Sequence, residues 1–144
     1  AKLDLPEKSL ETALLHFIDI ADIGTYAELG RTHLAVALVL AQHNEFSANQ
    51  QRLLDKIARY THLPQQPQPY FDEAIRVSSE NHYLETLVPA LIDFGIYLIQ
   101  NGQEKKGLDL IFQAEKECEN NNMTNIWKMK KAEIREAGIH LRYE

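Results

Sequence analysis

Apolar residues recur every three or four positions along nearly the whole chain, which is the spacing of amphipathic helices. The first segment already has this spacing at Ala13, Leu14, Phe17, Ile20 and Ala21. The alternation of apolar and polar residues that is typical of strands is almost absent. The sequence therefore predicts an all-α fold of about seven helices, whose short loops make neighbouring helices antiparallel.

Capping residues indicate where several of these helices begin and end. Gly24 is expected to end the first helix, because glycine readily adopts the left-handed conformation that closes a helix. Thr25 with Glu28, and Ser47 with Gln50, have the spacing of capping boxes, in which two side chains satisfy the first backbone N–H groups of a helix. They predict the starts of the second and third helices.

Prolines interrupt the helical pattern in two places. The segment from Thr61 to Pro69 contains three prolines, and we expect an extended loop there because proline removes backbone donors and restricts its neighbours. Pro89 stands inside a long apolar segment, where a proline costs about 3 kcal/mol, so a helix is expected to start or kink near it. Gly102 is predicted to end that helix.

The composition is that of an ordinary soluble protein, with 44% hydrophobic and 25% charged residues. The longest apolar run, from Leu34 to Ala41, is far too short to span a membrane, and the first residues lack the pattern of a signal peptide. Cys118 is the single cysteine, which excludes an internal disulfide. We expect a cytoplasmic protein, and, since the chain begins with Ala1 rather than methionine, a piece of a longer one.

The formal net charge of −6 is unevenly distributed along the chain. Residues 1–102 contain 7 basic and 13 acidic side chains, whereas residues 103–144 contain 8 of each. The excess of acidic residues argues against binding to nucleic acid or to an anionic membrane. It predicts that a partner of the first two-thirds is an extended apolar or basic peptide.

An internal repeat appears when the chain is shifted by 58 residues, which places Leu34 on Ile92 and Ala37 on Gly95. The unit at about 88–121 resembles the tetratricopeptide repeat family, a helix-turn-helix of about 34 residues with small and large residues at fixed places. The residues that match are Leu91, Phe94, Gly95, Leu98, Gly102, Gly107, Ile111 and Ala114. A second unit at about 30–60 matches more loosely through His33, Val36, Ala37, Leu40, Asn49 and Leu53.

This resemblance implies a single α-solenoid domain over residues 1–144 that binds a protein or peptide without catalysis. It also implies a groove lined by the first helix of each unit, at Arg31, Leu34, Leu38, Gln42, Ile92, Ile96 and Gln100. The aliphatic residues at these places disfavour the carboxylate clamp that some members of the family form. The alternative is that the aliphatic members of this set are core residues. A weaker likeness is to the repeat domains of peptide-sensing bacterial regulators, whose DNA-binding segment is separate.

The sequence contains no catalytic or phosphate-binding motif, so we expect no enzyme and no cofactor. Two pairs have metal-like spacing, His16 with Asp19 and Glu136 with His140, but a metal site needs further convergent ligands. Cys118 is flanked by glutamates, which are expected to raise its pKa and make it unreactive. A small helical metal-binding or enzymatic protein, and a self-associating structural domain or homodimer, stay as alternatives.

Overall fold

The computed structural model describes residues 5–23 and 28–141, and within these ranges the chain forms seven α-helices and no strand. The helices are α1 (Leu5–Ile23), α2 (Leu29–Gln42), α3 (Ala48–Thr61), α4 (Pro67–Glu80), α5 (Leu84–Gln100), α6 (Glu104–Asn120) and α7 (Thr124–Glu136). The all-α prediction is therefore confirmed for the described residues. Gly24 and Thr25, which carried the prediction for the first loop, lie outside them.

The chain divides into two compact units, Ala1–Tyr83 and Leu84–Glu144. In the first unit, α1 packs against both α2 and α3, and α2 packs against α4. Helix α2 is apolar around much of its circumference, which suits a helix between two others. The predicted helix pair at 30–60 needs α2 to pack against α3, and in the described residues these two helices do not pack together. That pairing prediction is wrong, because the two apolar sides of α2 pack against α1 and α4.

The second unit is built on the pair α5 and α6, with α7 packed against both. The pair crosses closely at Gly95 and Gly107. A Cβ atom built on Gly95 lies 2.7 Å from the carbonyl oxygen of Gly107, and one on Gly107 lies 2.5 Å from the carbonyl oxygen of Gly95. Only glycine allows two backbones to approach this far.

The starts of α3 and α4 are explained by residues at the helix boundaries themselves. The Ser47 hydroxyl accepts a hydrogen bond from the backbone N–H of Gln50, whose side chain accepts one from the Ser47 N–H, so this predicted capping box is confirmed. The predicted loop over 61–69 is too long, because α4 begins at Pro67. Pro67 and Pro69 lie in the first turn, where the missing N–H groups have no partner within the helix to lose.

Helix α5 does not start at Pro89: it begins at Leu84, continues through Pro89 and ends at Gln100. Gly102, with φ of 87°, ends α5 as predicted. The backbone N–H of Gln103 then donates to the carbonyl oxygen of Leu98 at 2.8 Å. This is the bond pattern of a Schellman motif.

The same termination is repeated at the ends of α4, α5 and α6. His82, Gly102 and Asn122 each have positive φ, and they stand at intervals of twenty residues. The residue before each is an asparagine whose side-chain amide donates to the carbonyl oxygen four residues earlier, at 2.7 to 2.8 Å; these residues are Asn81, Asn101 and Asn121. The turns at 81–83, 101–103 and 121–123 therefore share one local design.

Candidate functional site

A cleft of about 320 Å³ opens between α1 and α2. Two cations, Lys8 and Arg31, lie on its walls, and both side chains are exposed. Three hydroxyl groups and one imidazole also line it, from Ser9, Thr12, Thr32 and His16. Ala13 and Ala35 leave room between the helices because their side chains are small. The exposed lining of the cleft is therefore mostly apolar, with two cations and several neutral polar groups among the side chains that line it.

His16 is positioned on the wall of this cleft by two contacts. Its Nδ1 lies 3.4 Å from the hydroxyl of Thr32, and its Nε2 lies 3.6 Å from a carboxylate oxygen of Glu28. The Thr32 hydroxyl in turn donates to the carbonyl oxygen of Glu28 at 2.7 Å. These contacts tie α1 to the start of α2. They also direct both ring nitrogens of His16 toward Glu28 and Thr32.

The seven residues predicted to line a groove have different environments. Arg31 lines the cleft between α1 and α2, and Gln42 and Gln100 are exposed. Leu34 is 8% exposed and Ile92 is 0% exposed, so these two side chains belong to the cores of their units. Leu38 and Ile96 are half-buried. Of the two alternatives for the aliphatic set, burial in the core is the one observed for Leu34 and Ile92, and the peptide contacts stay a prediction.

A second pocket, of about 280 Å³, surrounds His33. The His33 ring lies edge-on to Phe17, with centroids 5.0 Å apart, and its Nδ1 is 2.8 Å from the carbonyl oxygen of Leu29. Burial lowers the pKa of His33. On the pocket wall, the hydrogen bond from Arg76 lowers the pKa of Glu73. The result is a neutral, packed imidazole beside a carboxylate that is already paired.

A third pocket, of about 340 Å³, lies between α1 and α3, and we call it the α1–α3 groove. It is lined by Leu14 and Ile18 from α1 and by Lys56, Arg59 and Tyr60 from α3. The sequence reasoning missed this surface. The spacing of Leu14 and Ile18 indicates one face of a helix, but spacing alone does not indicate that α3 packs beside it.

In the second unit, Asp93 of α5 and Lys130 of α7 form a half-buried ion pair at 3.7 Å. Burial raises the pKa of Asp93, and Lys130 opposes that shift. Lys130 also bonds to Glu133 at 2.9 Å. The pair fastens α7 to α5. Near the end of α6, burial and then Glu117, Glu115 and Glu119 raise the pKa of Cys118, which confirms the expected direction.

Within the ranges 5–23 and 28–141, no three His, Cys, Asp or Glu side chains come together as metal ligands would. The metal-like pairs His16 with Asp19 and Glu136 with His140 therefore gain no third ligand from the described residues. None of the helices in this part of the chain is both long enough and apolar enough to span a membrane. Comparison with protein-family models, with curated proteins and with solved structures finds no match.

Proposed function

We propose that this chain is a non-catalytic, tetratricopeptide-repeat-like module that binds an extended peptide segment in the cleft between α1 and α2. The repeat part of this proposal is supported by the close crossing of α5 and α6 at Gly95 and Gly107, the two places where the family pattern has small residues. It is also supported by the uniform helix-turn-helix spacing over 84–120. The weaker likeness to peptide-sensing regulators favours a sensing role in the cytoplasm.

The observation that carries the binding function is the position of the basic residues in the first unit. Seven basic residues occur in residues 1–102, and four of them line two surface pockets in pairs. Lys8 and Arg31 line the cleft between α1 and α2, and Lys56 and Arg59 line the α1–α3 groove. None of these four forms an ion pair with another described residue. Cations beside a cleft that have no ion-pair partner among the described residues favour an anionic ligand.

The sign of the local charge determines which peptide is expected. Net charge predicts a basic or apolar peptide, whereas Lys8 and Arg31 favour side-chain carboxylates, and charges within a few ångströms outweigh the screened charge of the whole unit. The hydroxyls of Ser9 and Thr12 add neutral hydrogen-bonding groups on the same side. The proposed partner is therefore an acidic, extended peptide.

Fluorescence anisotropy with a labelled peptide of alternating glutamate and serine tests this function. We expect saturable binding that weakens with added salt, and at least about a tenfold loss of affinity in Arg31→Glu. A matched control is Arg52→Glu, which makes the same change of charge at an exposed cation that bonds to Asn49 and lines neither pocket. That variant should retain most of the affinity.

The same peptide with glutamine in place of glutamate separates charge from backbone recognition. It should bind far more weakly. If the wild-type protein binds neither peptide, or if Arg31→Glu and Arg52→Glu lose affinity equally, the proposed function is wrong. Circular dichroism of each variant establishes that the helices are intact before the comparison is made.

A further inference from the structure

The α1–α3 groove has the composition of a protein-docking surface. One wall is apolar, with Leu14 and Ile18 a single helical turn apart on α1. The other wall consists of Tyr60 and the cations Lys56 and Arg59, all from α3. Lys56 stands three residues before Arg59 and four before Tyr60, so it neighbours both on the helix surface. The groove therefore has apolar side chains next to positively charged ones.

One large exposed apolar side chain of the described ranges, Tyr60, lines this groove. In the described ranges, the side chains of this kind are Leu15 at 61%, Tyr60 at 48% and Met129 at 70% exposure. Tyr60 lines the groove together with Leu14 and Ile18, whereas Leu15, the next residue after Leu14 on α1, does not line it. Single exposed apolar residues need no explanation, but apolar residues that adjoin one another and are rimmed by polar groups indicate an interaction site. Tyrosine and arginine are also the residues most enriched where binding energy is concentrated.

The carboxylate of α3, on Asp55, is hydrogen-bonded to two glutamine side chains. Asp55 accepts a hydrogen bond from the side-chain amide of Gln65 at 2.7 Å and another from that of Gln51 at 3.0 Å. These two bonds, more than the charge of Arg59, lower the pKa of Asp55. Arg59 and Lys56 form no ion pair with any residue in the described ranges. Both charges are therefore available to an incoming acidic residue.

We infer that the α1–α3 groove docks an acidic amphipathic helix of a partner protein. A helix presents apolar residues at i, i+3, i+4 and i+7 to the space between two other helices, and its flanking glutamates then reach Lys56 and Arg59. The groove volume of about 340 Å³ is near the lower end of ligand pockets, so it takes the anchor side chains of a helix that lies across it. This surface is separate from the cleft that contains Arg31, and the inference does not depend on the proposed function.

Charge separates this occupant from two others. A membrane surface is attracted by clusters of four to eight basic residues, and this groove has two in a chain of net charge −6. A second copy of the chain carries the same −6, so association of two copies is opposed by long-range repulsion. A locally acidic helix from another protein satisfies both the apolar and the charged walls.

The probe is a labelled helical peptide of about four turns, with leucines on one face and glutamates beside them. Anisotropy should show saturable binding to the wild-type protein. The double variant Lys56→Glu/Arg59→Glu should lower its affinity by about tenfold or more, and Tyr60→Ser by a comparable factor. Arg52→Glu, which reverses one charge on the same helix outside the groove, should leave this affinity nearly unchanged.

Further measurements distinguish the proposed acidic helix from other partners of the groove. A peptide with lysine in place of glutamate should bind at least about tenfold more weakly. The inference is overturned if both peptides bind equally, or if the acidic peptide binds the Lys56→Glu/Arg59→Glu variant as well as it binds the wild type. It is also overturned if the protein binds vesicles that contain phosphatidylserine, or forms a concentration-dependent dimer that Tyr60→Ser abolishes. Because the glutamate–serine peptide is measured on the same variants, failure here is distinct from failure of the cleft.

Discussion

His33 is a titratable side chain placed in the core of the first unit. It is buried between Phe17 and Tyr70, and its Nδ1 is within hydrogen-bond distance of the Leu29 carbonyl oxygen, which fixes the tautomer with the proton on Nδ1. Burial lowers its pKa below the ordinary 6.5, more than Glu73 raises it. The folded chain therefore prefers neutral His33.

This preference predicts that stability depends on pH. As pH falls below about 6.5, unfolded His33 takes up a proton that the folded side chain resists, so the unfolded state binds more protons and the free energy of unfolding decreases. His33 changes the free energy of unfolding by at most about 1.4 kcal/mol per pH unit. This dependence disappears at higher pH, where His33 is neutral in both the folded and the unfolded state. Urea unfolding of wild type and His33→Phe at several pH values measures the difference.

The subtraction removes the contribution of groups common to both proteins, among them Asp93, whose raised pKa acts in the opposite direction at lower pH. His33→Phe keeps a ring between Phe17 and Tyr70 but has nothing to titrate. Parallel curves for the two proteins from pH 5 to pH 7 would mean that His33 is not held neutral by the fold.

At the scale of the elements, the crossing of α5 and α6 makes a sharp prediction. Glycine to alanine inside a helix normally gains about 0.5–1 kcal/mol, because alanine loses less backbone entropy on folding. At Gly95 the new Cβ meets the Gly107 carbonyl oxygen at 2.7 Å and a side-chain carbon of Ile111 at 2.8 Å. We expect Gly95→Ala to lower the free energy of unfolding by about 1–3 kcal/mol, as overpacking does.

Thermal and urea unfolding measure this change, and Gln113→Ala at an exposed position of α6 is the control for helix propensity. If Gly95→Ala is as stable as wild type or more so, the two helices do not approach as closely as the geometry requires.

The repeated turns make a second prediction, with opposite signs at equivalent positions. Gly102 has φ of 87° and His82 has φ of 56°, and left-handed backbone is unfavourable for residues other than glycine by roughly 1–2 kcal/mol. Gly102→Ala should therefore lower the free energy of unfolding by about 1 kcal/mol, and His82→Gly should raise it by up to about 1 kcal/mol. Changes of the same sign in the two variants would contradict a shared turn design.

The helices were predictable from sequence because their signals are local. Ser47 and Gln50 satisfy neighbouring backbone groups, and Gly102 closes α5 by its own conformation. The start of α4 at Pro67 was not predicted, because the same prolines are compatible with a loop and with a first helical turn. Burial of Leu34 and the packing of α2 on α4 depend on contacts between segments distant in sequence, which periodicity does not specify.

For the candidate site, the family resemblance predicted Arg31 as a groove residue but did not predict its surroundings. Lys8 lies on α1 and Arg31 on α2, and they line one cleft because the two helices pack together. The α1–α3 groove was missed for the same reason, since its walls come from helices that are not consecutive. Which side chains line a cleft between helices depends on how those helices pack, and the sequence pattern alone does not specify this packing.

At the scale of the whole molecule, an acidic chain keeps four of its cations beside two pockets that flank α1. Average charge therefore describes how the protein behaves at long range, and we expect the cations beside the pockets to decide which partner binds there. The ionic-strength dependence of binding should reflect this arrangement. Affinity for an acidic peptide should decrease as salt increases, although the protein and the peptide both carry net negative charge. Affinity that increases with salt would show that repulsion dominates.

The most direct test of peptide binding at the cleft is a titration of ¹⁵N-labelled protein with the glutamate–serine peptide, followed by heteronuclear NMR. We predict that backbone amide shifts change in a saturable way at Lys8, Thr12, Arg31 and Thr32, and that the amides of Gly107 and Ile134 in the second unit stay unchanged. The same titration of Arg31→Glu should show no saturable shift changes at these amides. Shifts that are absent from the wild-type protein, or that persist unchanged in Arg31→Glu, would contradict the assignment of this cleft as the peptide-binding site.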